Sequence, residues 1–109
     1  MKIIDYCTSG GKNIIVEYIE NLPDDLKTKA YLIRSKIELD GFDALKALEA
    51  RKLRGKLYEI KFSNQRLMYV IQEPDKIYFV HMCKKEKMKT KSKGLNVAIQ
   101  RTKELGYVF

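Results

Sequence analysis

Leu57-Tyr58-Glu59-Ile60-Lys61-Phe62-Ser63-Asn64-Gln65-Arg66-Leu67-Met68-Tyr69 is the stretch whose reading decides the fold. Its first six residues alternate, with Tyr58, Ile60 and Phe62 on one side and Leu57, Glu59 and Lys61 on the other. A period of two is the pattern of a strand whose faces meet different surroundings. Ser63-Asn64-Gln65 is a turn, and residues 67–72 read as a second strand. Glu73-Pro74-Asp75-Lys76 is turn-forming as well. Residues 77–83 are almost wholly apolar, as expected of a central strand covered on both sides. Connections this short imply hairpins, so the region reads as an antiparallel meander of three strands.

Outward from the meander the period changes. Residues 2–7 suit a short opening strand, and Thr8-Ser9-Gly10-Gly11 breaks it, with Ser9 placed to cap a first helix. Ile14, Ile15, Tyr18, Ile19 and Leu22 form that helix's stripe at helical spacing, which Pro23 ends. Pro23-Asp24-Asp25 starts a second helix, whose buried face is Leu26, Ala30, Ile33 and Ile37 and which Gly41 stops. A helical turn is expected over residues 43–50. After the meander, Gly94 precedes a last helix with Leu95, Ala98, Ile99 and Leu105 inward. The expectation is one α+β domain over residues 1–109: an N-terminal strand and two helices packed on a small antiparallel sheet, with a C-terminal helix.

The charge is lopsided. The first fifty residues sum to −2 and residues 51–109 to +10, which together give the net +8. Positive charge confined to one half points to a directed anionic partner. The densest run is Lys84-Lys85-Glu86-Lys87-Met88-Lys89-Thr90-Lys91-Ser92-Lys93. It lacks the large apolar residues of a membrane-surface helix. Cys7 and Cys83 make neither a disulfide framework nor a zinc motif, and no apolar run suits a signal peptide or a membrane span. A cytoplasmic protein with reduced thiols, and with no metal and no cofactor, is the expectation.

Three stretches carry a family resemblance. They are residues 52–62 followed by Arg66-Leu67-Met68-Tyr69, then His81-Met82-Cys83-Lys84-Lys85-Glu86-Lys87-Met88-Lys89-Thr90, then the closing helix with Ala98 and Arg101. Together, over roughly residues 48–103, they resemble the RelE/ParE toxin superfamily, and most closely its phage-related HigB-like branch. The resemblance implies the toxin of a type II toxin–antitoxin system, acting as a ribosome-dependent mRNA endonuclease. It implies attack of a ribose 2′-OH on the adjacent phosphate without a metal, and a neutralising antitoxin of the helix-turn-helix, HigA-like kind. It also implies that Arg66 contacts the scissile phosphate and that Lys85 is a basic site position. Glu59 and Lys61 fall where RelE carries lysines, so Glu59 departs from that pattern and leaves the acid and base roles open.

The residues themselves can serve such chemistry. Cleavage by a 2′-OH needs a proton acceptor, a cation facing the pentacovalent phosphorane and a proton donor for the leaving oxygen. Glu59 is the candidate base. Lys61 and Arg66 are candidate phosphate holders, Arg with a bidentate fork. His81, Lys85 or Tyr107 are candidate acids. Lys52, Arg54, Lys56, Lys84, Lys87, Lys89, Lys91 and Lys93 are candidate RNA-docking cations.

Plainer readings stand beside these. Glu59 and Lys61 could instead form a solvent-facing ion pair with Arg66, and a lone His81 in an apolar strand is more often a core residue than a catalyst. Tyr107 and Phe109 suit sheet packing as well as base stacking. Two other functions are alternatives: a ParE-like inhibitor of DNA gyrase, which would share the fold but which the basic strand-face cluster argues against, and an RNA-binding module without chemistry.

Overall fold

The alternation of residues 57–69 becomes a hairpin in the computed structural model, which describes residues 1–85 and 91–106, with the backbone alone at 91 and 92. The elements run β1 (Lys2–Asp5), α1 (Ile14–Glu20), α2 (Asp24–Asp40), α3 (Phe42–Ala47), β2 (Arg51–Arg54), β3 (Leu57–Phe62), β4 (Gln65–Ile71), β5 (Lys76–Lys84) and α4 (Lys91–Glu104). The sheet has five strands in the order β1-β5-β4-β3-β2. The meander β3-β4-β5 is antiparallel as expected, and the whole is an α+β fold.

Two strands enlarge that meander. β2 pairs antiparallel with β3 across the turn Gly55-Lys56, and β1 lies parallel to β5 at the opposite edge, making the sheet mixed. Gly55 has φ +56°, which a tight hairpin turn favours and a side chain resists. The β3–β4 connection is tighter than its sequence suggests. Gln65 already belongs to β4, so Arg66 sits inside the strand, directly opposite Lys61. The first helix is capped by Asn13, not Ser9: the Asn13 Oδ1 accepts from the backbone N–H of Ile15 at 3.1 Å and of Val16 at 3.0 Å. α4 begins at Lys91, before Gly94.

Helices cover both faces of the sheet unequally. α1, α2 and α3 pack one face around Ile60, Phe62, Leu67, Tyr69, Ile77, Phe79 and Met82. Among the described residues, only α4 covers the other, through Ala98 and Ile99 on Leu57, Met68, Val70 and Val80. β5 is therefore covered on both sides, as its apolar run requires. A register shift between Met68 and Tyr69 leaves one extra residue in β5, so that Phe79 and Met82 share a face three residues apart.

Candidate functional site

The part of the sheet that α4 leaves uncovered is a cleft of about 280 Å³, lined by Arg51, Leu53, Glu59, Lys61, Arg66, Met68, Cys83, Lys84, Lys85 and Leu95. Strand register explains its composition. On the α4 side, cross-strand rows follow one another. Leu57, Val70 and Tyr78 form the first, which the helix covers. Arg51, Glu59, Met68 and His81 form the second, and Lys61, Arg66 and Cys83 the third. One hydrophobic row thus gives way to two that carry charge, with Leu95 of α4 beside them.

Lys61 and Arg66 are directly opposed cations. Like charges at opposed positions destabilise a sheet, so the pair is electrostatically incomplete without an anion. Arg66 Nη1 donates to the carbonyl of Gln65 at 2.8 Å, which sets the guanidinium without neutralising it. The N–H of Lys85 donates to the carbonyl of Asn64 at 2.6 Å. That bond ties the end of β5 to the β3–β4 turn and brings Lys84 and Lys85 to the same cleft as Arg66.

Glu59 is not where a solvent-facing ion pair would put it. It is buried, and its Oε1 accepts from Arg51 Nε at 2.8 Å across the β2–β3 pair. Arg51 thus joins the cleft, although the sequence reading does not single it out. The Gly55-Lys56 turn marks the hairpin, but a regular register from it would set Lys52 opposite Glu59. A register shift between Lys52 and Arg54, which has no sequence signature, puts Arg51 there instead.

His81 lies away from the cleft. It faces α4, with Nδ1 3.1 Å from Arg101 Nη1, which also donates to the carbonyl of Val80 at 3.0 Å. Burial first, and the Arg101 charge second, lower its pKa to about 4, so it is neutral at pH 7. Arg101 also lies over the Tyr6 ring, 4.9 Å from its centroid, while the Tyr6 hydroxyl donates to Glu104.

The docking cations divide as well. Lys84 lines the cleft and Lys93 is exposed in α4. Lys52 and Lys56 instead line a groove on the opposite side, with Phe42, Leu45, Lys46, Tyr58, Tyr69 and Ile71. Arg54 is exposed at the end of β2. Lys87, Lys89, Tyr107 and Phe109 lie outside the described residues, as does the side chain of Lys91.

Among the described residues, five cations and one carboxylate line the cleft, and the carboxylate is already paired. Such a surface is made for an anion. No group of three or more His, Cys, Asp or Glu among the described residues is arranged to hold a metal ion. No described helix is long and apolar enough to cross a membrane.

A family model described as phage-derived protein Gp49-like (DUF891) matches residues 17–103. The chain belongs to the Gp49-like family. This is a RelE/HigB-like toxin family, associated with toxin–antitoxin systems. The matched span takes in every strand of the cleft and nearly all of α4. No curated protein matches the chain.

Proposed function

We propose that this Gp49-like protein is a ribosome-dependent, metal-independent endoribonuclease, a toxin that cuts translated mRNA and is neutralised by a cognate HigA-like antitoxin. The observation that carries the reading is the opposed pair Lys61–Arg66, without a carboxylate partner among the described residues, in a cleft that Lys84 and Lys85 also line. The scissile phosphate sits on this pair, with the Arg66 fork on its non-bridging oxygens. A 2′-oxygen attacks phosphorus, the P–O5′ bond breaks, and a 2′,3′-cyclic phosphate and a 5′-hydroxyl result. The cations favour ionisation of the 2′-OH, whose proton passes to solvent water, and stabilise the phosphorane as negative charge builds on it. Lys85, a protonated amine at the cleft mouth, supplies the proton that the leaving 5′-oxygen takes up. Glu59, committed to Arg51, acts on the site through that arginine.

Arg66→Ala and Lys85→Ala test the reading. Preorganised donors of this kind contribute on the order of 10²–10³-fold to rate, so each variant loses that much cleavage while its thermal unfolding stays that of a folded protein. Mapping RNA 5′ ends after induction reads the result. Wild type leaves new ends inside translated codons, and either variant suppresses them together with growth arrest. Intact mRNA with DNA-damage signalling from the wild type would mean a gyrase inhibitor instead.

A further inference from the structure

Half of the cleft is not used by the phosphate site. Leu53, Met68 and Leu95 give it an apolar wall, and Arg51 stands at its rim. Three properties set Arg51 apart from Lys61 and Arg66. It is matched with Glu59, so the pair is neutral overall and suits a neutral group better than a phosphate. Its side chain is 46% exposed while that of Glu59 is 4% exposed, so the pair turns its donor side to the cleft. It also stands one same-face row from Lys61 and Arg66, a step of roughly 7 Å along a strand. That step is comparable with the reach from a nucleotide's phosphate to the far edge of its base, and the cleft volume of about 280 Å³ suits one nucleotide.

We propose that Arg51 reads the base of the nucleotide whose phosphate rests on Lys61 and Arg66, and that it favours guanine. This deepens the ribonuclease reading and rests on it. The ring packs on Leu53, Met68 and Leu95. The guanidinium nitrogens that Glu59 leaves over donate to O6 and N7, two adjacent acceptors found together only on guanine. Adenine offers an amino donor where guanine has O6, so donor would meet donor. Pyrimidines have no N7. Glu59 is a positioning residue: buried and bonded to Nε, it fixes the plane of the fork before RNA arrives.

The test is binding of the full chain to short RNAs that differ only at one base. The nucleotide carries a 2′-deoxy sugar so that nothing is cut, and NMR titration gives the affinity. Guanine should bind about tenfold to a hundredfold more tightly than adenine, cytosine or uracil, the usual range for one bidentate pair. 7-Deazaguanine should fall to the adenine level. Arg51→Lys, which keeps the charge but loses the fork, should erase the preference, and Glu59→Gln should weaken it. Arg51→Met by itself leaves Glu59 buried without its partner. The double variant Arg51→Met/Glu59→Gln keeps the net charge, avoids that cost and should likewise show no preference. Equal binding of all four bases by the wild type overturns the proposal, as does a guanine preference that survives in Arg51→Lys and the double variant. In either case RNA binding, and with it the ribonuclease reading, would stand. A wild type that binds none of the RNAs, abasic included, overturns the base-reading proposal, while the ribosome-dependent cleavage stands or falls on the mapping of RNA 5′ ends.

Discussion

Each face of the sheet holds an arginine–carboxylate pair, and the two pairs are wrapped differently. Under α1 and α2, Arg34 donates to both oxygens of Asp5 at 2.8 Å. Asn13 Nδ2 adds a third bond to Asp5 at 3.0 Å, and the guanidinium lies over Phe79, 5.4 Å from the ring centroid. On the α4 side, Arg51 reaches Glu59 through Nε alone, from the edge strand. The first pair is saturated and enclosed, with α2 supplying Arg34 and the cap of α1 supplying Asn13. The second keeps most of its donors facing a cleft. The same two residue types therefore serve as a fastener on one face and as an open hydrogen-bonding group on the other. What separates them is the covering layer: three helices roof one face, and a single described helix leaves the other unfinished.

The largest effect should come from breaking the enclosed pair. Arg34→Met leaves Asp5 buried without its counter-charge, which typically costs about 3–5 kcal/mol. Urea unfolding should show most of that loss. A loss under about 1 kcal/mol would mean that Asp5 finds water or another donor, and the contrast between the two faces would collapse.

A smaller effect should mark the histidine beneath α4. His81 is held neutral by burial and by Arg101, with Tyr6 and Glu104 beyond Arg101. Its folded pKa of about 4 lies below the ordinary 6.5, so the unfolded chain binds the extra proton first. Stability is therefore complete above about pH 6.5 and is lost as pH falls toward 4. Allowing for partial exposure, the loss between pH 7 and pH 5 is about 1–2 kcal/mol. His81→Gln should flatten that part of the profile relative to wild type in thermal melts. An unchanged slope would show that α4 yields to the proton at no cost.

The sequence makes much of this arrangement readable, and the failures have identifiable causes. Alternation in Leu57-Tyr58-Glu59-Ile60-Lys61-Phe62 places Glu59 and Lys61 on one face, and proximity of Arg66 follows from the short turn. The stripes of α1 and α2 are plain because helical spacing repeats over several turns. β2 escapes notice because Arg51-Lys52-Leu53-Arg54 holds a single apolar residue, and only its partner strand makes it a strand. The parallel pairing of β1 is not legible either, since nothing local encodes a contact some seventy residues away. His81 does lie on the cleft's face of β5, in the row of Glu59 and Met68, but α4 covers it through Arg101, a tertiary contact with no sequence signature of its own.

The unread strand also explains why the docking cations look like one surface in the sequence. Once β2 is a strand, period two sends Arg51 and Leu53 to the cleft and Lys52 to the opposite groove. This yields the subtlest prediction, because the variants differ only in which side they touch. Lys61→Ala and Lys52→Ala each remove one positive charge, so any effect of net charge alone is the same for both. Contact with a phosphate of single-stranded RNA contributes about 0.7 to the slope of log affinity against log salt. Lys61→Ala should lower the slope by about that amount. Lys52→Ala should leave it unchanged and alter affinity by no more than about twofold. Equal slopes for the two variants would mean that RNA wraps the β2 edge and uses both sides of the sheet. The cleft would then be one part of a longer track, and the distinction between its two faces would be one of packing alone.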